Sequence, residues 1–193
     1  MESARTVLYI YRPCMPVKTN KIIRFILFTA VLLPFLATAQ TKSYINKFRP
    51  LVDSLSAEYG IPPAVILGVS LIESGSGTSR NCKLLNNYFG IVGKNDLLKT
   101  KGIKTRYKQY EDATASFVHF CKVVAKKKYY KKLKGNGDYR LWTEAMSQHG
   151  YSEVPAIWRS RINEAIRKNK LGNLSIPKKD GDLAEEKKDK KKD

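Results

Sequence analysis

The sequence predicts a mainly α-helical domain (α+β) with one small β-hairpin, on three observations. Apolar residues recur at helical spacing over residues 44–55. The pair Pro62-Pro63 precedes residues 64–73, which are apolar on nearly all sides, as in a central helix. Residues 103–110 alternate with a period of two, which is typical of a strand.

The first 39 residues have the layout of a secretory signal peptide. Lys21 and Arg24 precede an apolar run over residues 25–36, and small residues follow at 37–39. The run is shorter than the roughly 20 residues that a membrane-spanning helix needs, although an uncleaved membrane anchor is the alternative. We therefore expect export to the periplasm or the cell exterior, without stable membrane insertion after the signal is removed.

The rest of the chain divides into a domain and a tail. Residues 40–174 are long enough for one domain with its own core. Residues 175–193 are dominated by lysine and acidic residues and contain few apolar side chains, so we expect them to be disordered.

The positive charge lies mainly on the folded domain. Residues 1–39 carry a net charge of +4 and residues 178–193 one of +1, so +14 of the total +19 lies on residues 40–177. Such a charge favours an anionic polymer as the partner: a cell-wall glycan with acidic stem peptides, a nucleic acid or a membrane surface. Export disfavours nucleic acid. The densest basic stretch, residues 126–132, is interpreted as a solvated helix end.

The cysteines and histidines predict no metal site and no cofactor. Cys82 and Cys121 follow the predicted signal peptide, and they either pair in an oxidising compartment or stay as buried free thiols. His119 and His149 are 30 residues apart without a clustered carboxylate partner. Both histidines are interpreted as structural or surface residues.

The remaining elements follow from local signals. Pro50 is expected to start or kink the first helix of the domain, and Gly60 to end it. Residues 88–92 are expected to pair with 103–110 as a hairpin that forms one lip of a cleft. Further helices are predicted over residues 79–85, 112–126, 138–149 and 155–170. Trp142 and Trp158, on two of these helices, are expected in the core.

Glu73 is the strongest candidate for chemistry. It ends the apolar helix and leads into the glycine-rich turn at residues 74–77. Apolar surroundings disfavour the charged carboxylate, so the group can hold a proton near neutral pH, as a general acid must. The alternative is an ordinary residue at a helix end. Residues 86–91, an amide-aromatic-glycine cluster, follow shortly after and strengthen the catalytic interpretation.

Five sequence landmarks in order resemble the glucosaminidase domain, glycoside hydrolase family 73, found in flagellar-rod muramidases and bacterial autolysins. The resemblance covers roughly residues 44–171. The landmarks are Glu73-Ser74-Gly75-Ser76-Gly77, Asn87-Tyr88-Phe89-Gly90-Ile91, Arg106-Tyr107 with Tyr110, Tyr129-Tyr130 and Gly150-Tyr151-Ser152. The resemblance implies a lysozyme-like helical lobe with a β-hairpin. It also implies cleavage of the β-1,4 bond between N-acetylglucosamine and N-acetylmuramic acid in peptidoglycan glycan strands.

The resemblance also implies roles for individual residues. Glu73 matches the general acid of the family, and Tyr151 matches an aromatic residue that faces the scissile sugar. Asn87, Phe89 and Tyr110 match residues that line the substrate groove. Tyrosine faces can stack on sugars while their hydroxyl groups hydrogen-bond, although core packing is the alternative for Tyr110 and Tyr151.

One departure from the family pattern leaves the mechanism open. Many members carry a second carboxylate on the hairpin, whereas residues 94–102 are basic and contain a single acid, Asp96. Asp96 reaches the cleft, or Glu73 acts with Tyr151 and the acetamido group of the substrate, or activity is impaired. The choice between retaining and inverting chemistry needs a carboxylate separation.

Two other functions remain as alternatives. Lytic transglycosylases also use one glutamate in a Glu-Ser context, but a Gly-Leu-Met-Gln stretch usually follows, and Asn86–Ile91 stands here instead. A non-catalytic peptidoglycan-binding or scaffold module would keep the groove without the second acid. No protein partner is predicted.

Overall fold

The computed structural model describes residues 21–178, with side chains described from residue 39 onward. The chain divides into two units, Met1–Ala37 and Thr38–Asp193. The side chains of the predicted signal peptide up to residue 38 and the tail residues 179–193 lie outside the described part. Among the described residues, no helix combines the length and the apolar character that crossing a bilayer requires.

The described part of the chain is mainly helical, as predicted. The helices are α1 (Lys21–Tyr59), α2 (Pro63–Ser74), α3 (Arg80–Leu85), α4 (Leu97–Lys101), α5 (Ala113–Ala125), α6 (Tyr130–Leu133), α7 (Tyr139–Gln148) and α8 (Pro155–Lys168), followed by a short 3-10 helix, Leu171–Asn173.

The central helix is α2, in which 10 of the 12 residues are buried. It packs against α7, α8 and the 3-10 helix. Gly68 permits this packing, because a Cβ atom there would lie 2.6 Å from Cγ1 of Ile166 on α8. The largest fully buried side chains around α2 come from several elements and include Val52, Phe89, Phe117, Phe120, Trp142, Met146, Ile162 and Ile166.

Local signals in the sequence account for several helix boundaries. Pro63 is the first residue of α2, where proline lacks only an N–H that would be unpaired anyway. The side chains of Ser79, Asp112 and Asp138 accept backbone N–H bonds at the starts of α3, α5 and α7. Gly60 follows α1 with a positive φ of 64°.

One local expectation was wrong. Pro50 does not start the first helix of the domain, because α1 continues through it to Tyr59. Pro50 has no backbone N–H to donate to the carbonyl group of Asn46, four residues earlier. Both residues are exposed, so water can bond that carbonyl group instead. The basic stretch at residues 126–132 begins at Lys126, the exposed residue that caps the end of α5, and it also contains the start of α6.

The predicted hairpin does not form as paired strands in the described residues. Val92 and Tyr107 make an isolated antiparallel bridge. The N–H of Lys108 donates to Ile91 O at 2.8 Å, and the N–H of Gly93 donates to Arg106 O at 3.0 Å. The short helix α4 occupies the connection. The segment 86–110, called the lip below, is therefore irregular although its two ends pair as expected.

Cys82 and Cys121 are both free and buried. Of the two possibilities that the sequence left open, the structure has the buried thiols and not the disulfide. Cys82 lies on α3 and Cys121 on α5, and burial raises the pKa of each thiol.

Candidate active site

Glu73 lies in the last turn of α2 and is half-buried. The N–H of Gly75, the left-handed residue that ends α2, donates to Leu71 O, so the chain turns away directly after the carboxyl group. Oε1 of Glu73 accepts a hydrogen bond from Nε1 of Trp158 on α8, at 2.7 Å. The carboxyl group is therefore fixed by two packed helices.

The surroundings of Glu73 favour a protonated carboxyl group. Burial raises its pKa above the ordinary value. The hydrogen bond from Trp158 and the positive charge of Arg161 oppose this shift, because both stabilise the carboxylate. Burial is the largest of the three effects, so the group keeps a proton to higher pH than an exposed glutamate does.

The second oxygen of Glu73 faces the backbone of the lip. A Cβ atom on Gly90 would lie 3.1 Å from Oε2 and 4.0 Å from Cε1 of Tyr107. Gly90 also has a positive φ of 65°, a conformation that residues with a side chain rarely adopt. Glycine is thus required at position 90 both by its backbone angle and by the space beside the carboxylate.

Tyr151 connects the helical side of the pocket to the lip. Its half-buried side chain lies in the connection between α7 and α8. Its hydroxyl group donates to Phe89 O at 3.2 Å, and its ring centroid is 5.0 Å from that of Trp158. Burial raises the pKa of Tyr151 well above the usual range, and the negative charge of Glu73 adds to the shift. Tyr151 and Glu73 are therefore electrostatic neighbours.

Asn87, expected to line the groove, instead holds the lip together. Its side chain is 1% exposed. Its Nδ2 donates to Ile91 O and to Lys108 O, both at 2.8 Å. Its Oδ1 accepts from the backbone N–H groups of Phe89 and Ile91. These four bonds occupy both donors and the acceptor oxygen, so the amide has no free group to offer a sugar in this conformation.

Phe89 is also buried, contrary to its expected place along the groove. It is 2% exposed, and its ring stacks on Phe120 with centroids 4.1 Å apart. It contributes its carbonyl group to the site instead, as the acceptor for Tyr151.

Tyr110 is 7% exposed, and its hydroxyl group lies 2.6 Å from Nδ1 of His119. Burial and the charges of Lys108, Lys126 and Lys122 lower the pKa of His119, and the Tyr110 hydroxyl group and the His119 ring share one hydrogen bond. Tyr110 therefore presents little surface to a ligand. It does contribute, as a minor cause, to the raised pKa of Tyr151.

Asp96, the possible second acid, precedes α4 and is exposed. It lines a shallow hollow with Lys94, Gln109, Tyr110 and Glu111. Within the part of the chain that the structure describes, the charged neighbour that shifts the pKa of Glu73 is Arg161 and not a carboxylate. Asp96 is therefore not among the groups that shift the pKa of Glu73, whereas Glu73 does contribute to the pKa shift of Tyr151.

Three residues near Glu73 were given no role there from the sequence: Trp158, Arg161 and Gly90. Trp158 was expected in the core, and it is 6% exposed, yet its indole N–H points at Glu73. A buried indole N–H usually finds a partner, which is the one signal that could have suggested a polar neighbour. No three His, Cys, Asp or Glu side chains within the described residues cluster as metal ligands.

The arrangement is suited to delivering one proton. A carboxyl group whose pKa is raised by burial accepts a hydrogen bond from Trp158 on one oxygen and faces Gly90 of the lip with the other. The Tyr151 hydroxyl group bonds the lip backbone, and the Tyr151 ring contacts Trp158, the donor to Glu73. Such a pair can protonate a leaving oxygen and orient a polar group of a bound substrate.

Comparison with protein families gives one match over most of the domain. The model of the family described as "Glucosaminidase: Mannosyl-glycoprotein endo-beta-N-acetylglucosaminidase" matches residues 49–171. This range contains Glu73, Gly90, Tyr151 and Trp158. The comparison with curated proteins finds no match.

Solved structures with a similar fold include three bacterial proteins. The catalytic domain of the autolysin Auto from Listeria monocytogenes has a TM-score of 0.56 at 19% identity, over 69% of this chain and 86% of that one. A C-terminally truncated glycoside hydrolase domain of FlgJ from Salmonella typhimurium gives 0.55 at 16%, over 67% and 97%. A peptidoglycan hydrolase mutant from Sphingomonas sp. A1 gives 0.53 at 17%, over 67% and 94%.

Proposed function

The chain belongs to the glucosaminidase family of glycoside hydrolases, and from this premise we propose that it is an exported peptidoglycan hydrolase. The bond it cleaves is the β-1,4 linkage between N-acetylglucosamine and N-acetylmuramic acid, with Glu73 as the general acid. The names of two similar structures, an autolysin and a peptidoglycan hydrolase, support this class of substrate.

The observation that carries the proposal is the half-buried Glu73 carboxyl group held by Trp158 at 2.7 Å. In the first step this group donates its proton to the glycosidic oxygen as the bond from that oxygen to the sugar C1 breaks. Water then adds to C1, and its proton replaces the one that Glu73 gave. Because burial raises the pKa of Glu73, the protonated acid is available at higher pH than for an exposed glutamate.

The second catalytic role is assigned to Tyr151 and the acetamido group of the substrate. The Tyr151 hydroxyl group is close to Glu73 electrostatically and within reach of the lip backbone. It can orient the acetamido group so that its oxygen stabilises the oxocarbenium-like transition state. Asp96 is the alternative second acid, but it lies at an exposed hollow with Lys94 and Glu111.

Export is supported by the layout of residues 1–39 and by the substrate. Peptidoglycan lies outside the cytoplasmic membrane, so a hydrolase that acts on it must cross that membrane. The net charge of +14 on residues 40–177 suits a partner with acidic stem peptides.

The deciding experiment is digestion of isolated peptidoglycan with the purified protein, followed by mass analysis of the released fragments. We expect fragments that end in a reducing N-acetylglucosamine. Anhydro-muramic ends would identify a lytic transglycosylase instead. Retained binding to the wall without any released sugar would identify a non-catalytic binding module.

A further inference from the structure

The positive charge of the domain is unevenly distributed along the chain. Between Asp112 and Asp138 there are seven lysines and no acidic residue. This stretch comprises α5, α6 and the loops that follow each helix. Six of these lysines are exposed and together are called the lysine face: Lys122, Lys126, Lys128, Lys131, Lys132 and Lys134.

The acids that border the lysine face do not neutralise it. Within the described part of the chain, the observed ion pairs leave out every lysine of the face. Asp112 caps the far end of α5, and Asp138 caps α7 and pairs with Arg140. Glu58, exposed on α1, borders the edge near Lys134. Elsewhere basic residues do pair with acids, as Arg159 does with Glu144.

The lysine face belongs to elements that pack against residues of the Glu73 site. Burial lowers the pKa of His119 on α5, and the charges of Lys108 from the lip and of Lys122 and Lys126 lower it further. His119 bonds Tyr110, and Nζ of Lys108 lies 5.1 Å from the centre of the Tyr110 ring.

Tyr129, at the start of α6, is also a neighbour of the pocket. Its ring is 5.2 Å from that of His149, and it adds to the pKa shift of Tyr151. The ring of Phe120 on α5 is also 6.2 Å from that of Tyr151, so the helix that carries Lys122 and Lys126 packs against a residue of the site.

We propose that the lysine face is a docking surface for the carboxylates of peptidoglycan stem peptides, which holds a glycan strand while Glu73 acts on it. The inference rests on the proposed substrate. Lysine suits this role because each ammonium group is a mobile point charge on a long stem, able to follow irregularly spaced carboxylates. Many such contacts together give a strong but salt-sensitive attraction.

The test compares two triple variants that remove the same charge. One changes Lys126, Lys128 and Lys131 on the lysine face to Gln. The control changes Lys42, Arg167 and Lys168, which are exposed elsewhere, to Gln. Binding to isolated walls is measured between low and high salt. The face variant should bind about tenfold more weakly at low salt, since each exposed charge contact contributes roughly two- to fivefold; the control should change less than about twofold.

The chemistry of the partner is tested by modifying the wall. Amidation of its carboxyl groups should abolish the difference between parent and face variant, whereas removal of phosphate polymers should leave it intact. The reverse pattern, or an equal loss of binding in both variants, would overturn the proposal.

Hydrolysis is followed separately, on soluble strands released from the amidated wall. The face variant should cleave them like the parent. If the parent cleaves no wall material at all, the proposed function fails, while the binding results still decide the role of the lysine face.

Discussion

The two sides of the Glu73 pocket are built by different means. The helical side, α2 and α8, is held by apolar packing close enough that Gly68 touches Ile166. The lip, residues 86–110, has no strand in the described structure and is held by asparagine side chains bonded to backbone groups. The helical side carries the reacting group, whereas the lip owes its shape to three asparagine amides, of which Asn87 is buried.

The largest expected effect is on the helical side. Glu73→Gln should lower turnover at least ~10²-fold, because a near-isosteric amide cannot donate the acid proton. Folding should not suffer. Burial raises the pKa of Glu73 in the folded protein. The contribution of Glu73 to stability is therefore fully present below its pKa in the unfolded chain and is lost as pH rises through its pKa in the folded protein. The Gln variant does not lose stability in this way.

Turnover on isolated peptidoglycan and melting temperature against pH measure both parts of this prediction. Turnover within about threefold of the parent would remove Glu73 from the role of general acid, given the loss of ~10²-fold or more expected for such a group.

The second largest effect is expected from removing the Asn87 amide that holds the lip. Asn87→Ala should lower the free energy of unfolding by about 2–4 kcal/mol, since buried backbone groups left unpaired cost roughly 1–3 kcal/mol each. The groups affected include the carbonyls of Ile91 and Lys108. Urea unfolding followed by circular dichroism measures the change. Asn95→Ala is the comparison within the lip, and because Asn95 is only half-buried, its loss should be smaller. Equal losses in the free energy of unfolding would mean that Asn87 stabilises the lip no more than Asn95 does.

Tyr151, which contacts both sides, gives the third effect. Tyr151→Phe should lower turnover about tenfold, comparable to one lost hydrogen bond to a charged transition state. The melting temperature should fall little, because the ring contacts with Trp158 and Phe120 remain. Kinetics and thermal unfolding of the same preparation separate the two. A large drop in melting temperature with normal activity per folded molecule would make Tyr151 a core residue.

The smallest expected effect concerns Trp158, the hydrogen-bond donor to Glu73 on the helical side. Trp158→Phe removes the donor that stabilises the Glu73 carboxylate, so the pKa of Glu73 should rise further. A general acid loses activity as pH rises through its pKa, so the basic limb of the pH–rate profile should move up by about one pH unit. The matched control is Trp142→Phe, whose indole N–H donates to Asn136 O instead. The idea fails if both variants move the limb equally, or neither does.

The difference between the two sides also explains what the sequence could predict. The helical side is encoded locally: Pro62-Pro63 starts α2, apolar residues fill it, and Glu73 ends it, so this helix and the candidate acid were both predictable. The partner of Glu73 was not, because Trp158 lies 85 residues further along the chain and a tryptophan on an amphipathic helix is typical of a core.

The lip was predicted less well because its shape depends on pairings between distant residues. The two-residue alternation of side chains at residues 103–110 indicates an extended chain. It does not indicate how many residues pair with a neighbouring strand, and here the pairing is one bridge between Val92 and Tyr107. The motif residues Asn87 and Phe89 were assigned to the groove, and only their burial shows that they support the lip from within.

The unpaired state of Cys82 and Cys121 has a consequence for how the protein matures. Disulfide exchange requires a thiolate, and burial raises the pKa of both thiols, so little thiolate forms and oxidants have poor access. The folded domain therefore holds its structure without a disulfide, and once folded its two thiols are protected from oxidation. If it is exported as proposed, an oxidising compartment can act on these thiols before folding buries them.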